Sequence, residues 1–134
     1  MNPGPELDRV IAEKIFGLEI KGKVQTGDEY ELGLRWGREG YVYQKGPNLE
    51  ELIPEYSTDI AAASELLEKI KQIECKEDRY AGPYIESNNG NFEWYLCYRW
   101  HELEYLNVSS KSLPHAICLF ALKVIDETLN VPHI

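Results

Sequence analysis

Leu7, Val10, Ile11 and Ile15 recur at helical spacing, with Asp8, Glu13 and Lys14 off that stripe and Gly17 as a stop, and they predict a first helix over residues 6–16. Between residues 22 and 43 the period falls to two. Tyr30, Leu32, Leu34 and Trp36 alternate with Glu29, Glu31, Gly33 and Arg35, and Gly37 and Gly40 bracket a turn before Tyr41, Val42 and Tyr43, so a β-hairpin is expected. Pro47 and Pro54 make residues 46–56 an irregular connection, in which residues 48–52 could form one helical turn.

Ser57, Thr58 and Asp59 all suit an N-cap, and Ile60, Ala63, Leu66, Leu67 and Ile70 behind them predict a second helix to about residue 71. Residues 80–100 read as a second hairpin, with the Ser, Asn, Asn, Gly, Asn run of residues 87–91 as its turn. After the turn, Phe92, Trp94, Leu96, Tyr98 and Trp100 share one face of a strand, and Glu93, Tyr95, Cys97, Arg99 and His101 share the other. Tyr105, Leu106, Asn107 and Val108 add a further short strand or edge. Ser112 as N-cap and Pro114 in the first turn open a last helix, which carries Ile117, Phe120, Ala121, Val124 and Ile125 on one face and ends near residues 129–130. No linker or repeat interrupts this order. It predicts a single α/β (α+β) layered domain over residues 1–134 with mainly antiparallel pairing.

A chain of 134 residues, 43% hydrophobic and 28% charged, can bury one core but hardly two. Lys and Arg number 14 against 23 Asp and Glu, a formal charge of -9, so the electrostatic footprint of a nucleic-acid duplex binder is missing. The carboxylates are spread, with only Glu50-Glu51 and Glu77-Asp78 adjacent, so no DNA-mimic pattern is apparent and solubility alone suffices to explain the charge. No segment approaches the roughly 20 apolar residues of a membrane span. The opening residues also lack a basic start followed by an apolar run, so a cytoplasmic protein with no membrane partner is expected. Cys75, Cys97 and Cys118 form no C-x-x-C pair and are read as buried free thiols.

Three segments resemble the phage ABA sandwich domain, a family of small phage proteins with a three-layer α/β/α fold. Leu7-Asp8-Arg9-Val10-Ile11-Ala12-Glu13-Lys14-Ile15-Phe16-Gly17 looks like its opening helix. Tyr56-Ser57-Thr58-Asp59-Ile60-Ala61-Ala62-Ala63 looks like its serine-threonine-aspartate helix start, and His115-Ala116-Ile117-Cys118-Leu119-Phe120-Ala121-Leu122-Lys123 looks like its final helix. The resemblance implies a phage or prophage product acting in a bacterial cytoplasm, with a sheet covered by helices on both faces; combined with the elements above, the expected fold is a three-layer α/β/α sandwich with a mainly antiparallel sheet of four to five strands and three helices. The resemblance brings no catalytic residue set. By association with other small phage proteins, it points to action against host defence.

No nucleotide-binding, hydrolase or metalloprotease motif occurs in the chain, so no catalytic residue, metal site or cofactor is assigned. Cys97 and His101 share strand parity but lie roughly 13 Å apart by strand rise, too far for one metal or a nucleophile and its base. Ser57, Thr58 and Asp59 are read as a cap, because the charge of Asp59 already satisfies the helix dipole that an anion would seek.

The sharpest signal is the pairing of Arg residues with aromatic rings on strands. If helices cover both sheet faces, the charged strand residues must be paired or bound, because an unpaired buried charge is costly. If one face is open, they are an ordinary solvated face. The covered case predicts a pocket for a nucleotide-like ligand. Trp36, Tyr41, Tyr43, Trp94, Tyr95 and Trp100 would stack on a base or line the cleft, Arg35, Arg38 and Arg99 would bind phosphate, and His101 would donate a hydrogen bond. The expected function is a counter-defence protein, and an expected homo-oligomer, that sequesters a small nucleotide-derived immune signal without cleaving it. The alternatives are a protein-protein inhibitor of a host factor, working through an acidic or aromatic surface, a small phage accessory protein of other role, and an enzyme degrading such a signal with His101, Glu93 or Glu102 as base.

Overall fold

A computed structural model describes residues 1–77, 84–88, 90–97 and 105–130. Helix α1 (Pro5–Lys14) opens with proline, whose missing N–H would have no partner there in any case. Glu6 and Asp8 in its first turn and Lys14 in its last complement the helix dipole. Its stripe of Leu7, Ile11 and Ala12 is fully buried.

The Ser57-Thr58-Asp59 run divides its labour. Asp59 caps α2 (Ile60–Glu77), its Oδ1 accepting from the Ala61 N–H at 3.2 Å and its carbonyl from Ala63 at 2.9 Å. Ser57 instead fastens α2 to α1: its N–H donates to Asp8 Oδ1 at 2.8 Å, and its Oγ accepts from the Gly4 N–H at 2.9 Å. Asp8 and Ser57 are both buried, and desolvation holds the Asp8 carboxyl above the usual carboxylate range, although the Ser57 hydrogen bonds act the other way.

Helix α3 (Leu113–Asn130) turns Ala116, Ile117, Phe120, Ala121 and Val124 into the same core as Ala63, Leu66 and Ile70 of α2. Tyr56 closes that core, stacked on Phe16 with ring centroids 5.1 Å apart. Cys118 is a buried free thiol, as expected, and its pKa is pushed up chiefly by burial. Cys75 and Cys97 lie on described backbone, but their side chains lie outside the described residues. No helix among the described residues is long and apolar enough to cross a membrane.

The chain is mixed α+β, with antiparallel strands in small sheets. Strands β1 (Ile20–Val24), β4 (Gly40–Gly46) and β5 (Leu49–Leu52) form one sheet in the order β1-β4-β5. Strands β6 (Tyr84–Asn88), β7 (Asn91–Cys97) and β8 (Tyr105–Ser110) form a second, with the expected hairpin between β6 and β7 and β8 as the further strand. Strands β2 (Glu29–Tyr30) and β3 (Leu34–Arg35) pair only with each other.

Four expectations are corrected. Helix α2 runs to Glu77, past the expected end near residue 71. Strand β4, expected to form a hairpin with the run of residues 30–36, pairs instead with β1 and β5. Residues 49–52, expected to be irregular or helical, are strand β5. Pro47 followed by Asn48 at φ 60 gives the left-handed second position of a tight turn that returns the chain onto β4. The alternating run of residues 29–36, expected as one strand, folds back on itself. Leu32 (φ 55) and Gly33 (φ 80) both take the left-handed conformation, and the turn they form splits the alternation into β2 and β3.

Candidate functional site

The β2–β3 hairpin is anchored at its base by a loop that closes on itself. Asp28 Oδ2 accepts from the Gln25 N–H at 2.7 Å, the Gly27 N–H donates to the Trp36 carbonyl at 2.8 Å, and the Trp36 N–H donates to the Asp28 carbonyl at 2.9 Å. This closure brings Trp36 back over Tyr30, and the rings stack with centroids 4.1 Å apart and planes at 19°. Trp36 is buried, whereas Leu32 at the tip of the same hairpin is fully exposed. Trp36 is buried but is not part of the helical core cluster.

Between this hairpin and the β4–β5 hairpin lies a half-open cavity of about 510 Å³, within the roughly 300–1,000 Å³ typical of small-molecule sites. Val24, Tyr30 and Trp36 form its apolar wall, and Glu29, Gln44, Asn48 and Glu50 form its polar one. Gln44 and Glu50 are direct partners in the β4–β5 register, and the left-handed Asn48 lies in the turn that joins their strands. Gln44 has its amide N–H engaged by the Gly46 carbonyl. Glu50 makes no side-chain hydrogen bond or ion pair among the described residues. Arg35 stands beside the cavity through Glu29: its guanidinium donates to Glu29 Oε1 and to the Gly27 carbonyl, each at 3.1 Å, and both side chains of the pair are well exposed.

The candidate residues whose side chains are described, Arg35, Trp36, Arg38, Tyr41 and Tyr43, do not gather at one place. Trp36 lines the cavity and Arg35 borders it. Arg38 is structural, since its Nη2 donates to the Ile53 carbonyl at 2.6 Å and its Nε pairs with Glu55 at 3.1 Å, which ties the β3–β4 connection to the segment before α2. Tyr41 and Tyr43 pack against the helical core. The Tyr41 hydroxyl donates to Glu6, and the Arg9 and Lys23 cations lie 5.2 and 5.6 Å from its ring centroid, so its faces are already in use. That hydrogen bond lowers the pKa of Glu6 and raises that of Tyr41. The Tyr43 hydroxyl donates to Glu51 at 3.3 Å, and burial first, then the Glu51 charge, raises its pKa.

Trp94 and Tyr95 occupy the middle of β7, in register with Val108 and Asn107 of β8; their side chains lie outside the described residues, and so do Arg99, Trp100 and His101 altogether. Among the described residues, no group of three or more His, Cys, Asp or Glu could hold a metal ion.

Sequence reasoning marked Trp36 and Arg35 but missed Tyr30, Glu29, Gln44, Asn48 and Glu50 as site residues. Gly33 and Asn48 carried the available signal, because both types tolerate left-handed turns. The resulting site combines an aromatic stack with an acceptor-rich wall and one exchangeable guanidinium. Such a set can hold a planar, hydrogen-bond-donating group by stacking and accepting, and can meet an anion only at its edge.

The chain matches the phage ABA sandwich domain over residues 9–122. Neither the curated proteins nor the solved structures contain a match to it.

Proposed function

This chain belongs to the phage ABA sandwich domain family, and from that membership we propose that it is a phage counter-defence protein of the host cytoplasm that captures a small nucleotide-derived immune signal and holds it uncleaved. The observation that supports this reading is the cavity beside the Tyr30–Trp36 stack, with Arg35 at its margin. A base packs against the aromatic wall, where stacking contributes roughly 1–3 kcal/mol. The phosphate stays outside. With Glu29 and Glu50 in the wall and a net charge of -9, an anion inside the cavity would be repelled.

Arg35 is the group that meets the phosphate. Its ion pair with Glu29 is exposed, and such pairs contribute about 0–1 kcal/mol, so exchanging the carboxylate for a phosphate costs little. We read the two three-stranded sheets as the middle layer of the α/β/α sandwich that the family name describes.

Native mass spectrometry with cyclic and ADP-ribose-type nucleotides tests the capture. The expected result is a discrete mass shift that disappears on denaturation with the compound released unchanged. Release of a cleaved product would make the chain an enzyme instead, and no shift across the panel would move its function to a host protein partner.

A further inference from the structure

The strongest acceptors of the cavity are the carboxylates of its polar wall. Glu29 and Glu50 offer four carboxylate oxygens, which accept hydrogen bonds and cannot donate them. Gln44 has an amide N–H turned to Gly46, which leaves its oxygen as an acceptor, and Asn48 brings one further amide. No Lys or Arg lines the cavity. Glu29 is satisfied by Arg35, but Glu50 is not satisfied by any side chain among the described residues, and it stands directly across the β4–β5 register from Gln44. A planar ligand resting on the aromatic wall and turned toward Glu50 therefore meets a carboxylate unpartnered among the described residues, which only a donating edge satisfies.

We infer that the cavity selects the nucleobase by its donors and takes guanine above the other bases, with Glu50 as the specificity-determining residue; this rests on the proposed nucleotide capture. Guanine alone among the common bases presents adjacent N–H donors, the ring N1–H and the exocyclic N2 amine, spaced to meet the two oxygens of one carboxylate. Adenine offers a single amine beside an acceptor nitrogen, which would face the carboxylate oxygen unfavourably. Uracil offers one N–H between two carbonyls. Hypoxanthine keeps the N1–H and lacks the N2 amine, so it isolates the second hydrogen bond. When a ligand phosphate takes Arg35, the released Glu29 carboxylate adds a further acceptor to the same wall.

The test is isothermal titration of the full chain with GMP, IMP, AMP and UMP, repeated with the Glu50→Gln variant. Glu50 is exposed and outside the core, so thermal melting should show an unchanged fold for the variant. Loss of one hydrogen bond to a charged acceptor corresponds to about a tenfold or greater change in affinity. GMP should therefore bind at least about tenfold more tightly than IMP, AMP and UMP should be weaker than GMP, and Glu50→Gln should bring GMP close to IMP. Equal binding of all the nucleotides, or a preference for AMP or UMP, would overturn the base selection while leaving the capture standing. An unchanged GMP preference in Glu50→Gln would remove Glu50 from the role. Binding of none of them at millimolar concentration would overturn the capture itself.

Discussion

Tyr30 and Trp36 stack at 4.1 Å because Leu32 and Gly33, both left-handed, turn the chain between them back on itself. The turn holds two adjacent residues at positive φ, one of them a leucine with its side chain wholly in solvent. A non-glycine residue costs roughly 1–2 kcal/mol in that conformation, so the hairpin is maintained by its base, where Asp28, Gly27 and Trp36 close the loop, and by the ring stack.

Gly33→Ala adds a second unfavourable left-handed residue to the turn. We expect it to lower stability by about 1 kcal/mol, read as a drop in the urea midpoint, and to weaken nucleotide binding because the Tyr30–Trp36 stack loses its geometry. A variant with full binding would show that the stack forms without the turn.

Arg35 and Arg38 make opposite predictions, although they lie three residues apart. Arg38→Ala removes charge-assisted bonds to the Ile53 carbonyl and to Glu55, and should cost about 1 kcal/mol of stability with nucleotide affinity unchanged. Arg35→Ala should leave the melting temperature within a degree or so, since its ion pair is exposed, and lower nucleotide affinity by about tenfold, with a smaller salt dependence than the parent. Thermal melts and titrations at two salt concentrations separate the two.

Tyr30→Ala should lower nucleotide affinity by about tenfold through loss of one stacking partner, and Tyr41→Phe should not change it, because Tyr41 engages Glu6, Arg9 and Lys23 away from the cavity. The same titration reads both variants.

Asp8 supplies a pH prediction. Burial raises its pKa above the ordinary value of 3.8 in the folded chain, so the protonated carboxyl favours the fold and ionisation opposes it. Its contribution is therefore most favourable below the unfolded value of 3.8 and declines as pH rises from there through the raised folded value. Asp8→Asn keeps an oxygen to accept the Ser57 N–H and removes the titration. Denaturation midpoints measured from pH 4 to pH 7 should include, in wild type only, a component that falls with rising pH. Parallel curves for the two proteins would contradict this.

The three helices, apart from the last turns of α2, were legible in the sequence because caps or stops and apolar spacing agree there: Gly17 stops α1, Asp59 caps α2, and Phe120 and Val124 continue the stripe of α3. The strands were less legible for a physical reason. Alternation shows which side a residue takes relative to its neighbour, but a left-handed pair can reverse the chain inside the pattern without breaking it, as Leu32 and Gly33 do. Strand β5 escaped notice because two acidic residues, Glu50 and Glu51, occupy its centre, and Pro47 reads as a breaker until Asn48 is seen as the left-handed half of a turn. The cavity was not legible as a whole. Trp36 and Arg35 stood out by residue type, but Glu50 and Gln44 reach them only through the approach of two hairpins, which no local spacing encodes.

The most direct test of nucleotide capture in this cavity is a titration of the isotope-labelled chain with GMP followed by amide and indole NMR shifts. Capture at this site predicts shifts concentrated at Tyr30, Trp36, Gln44, Asn48 and Glu50, including the Trp36 indole N–H, with little change around Tyr41 and Arg9. Shifts absent from these residues at saturating GMP, or confined to residues 84–110, would contradict it.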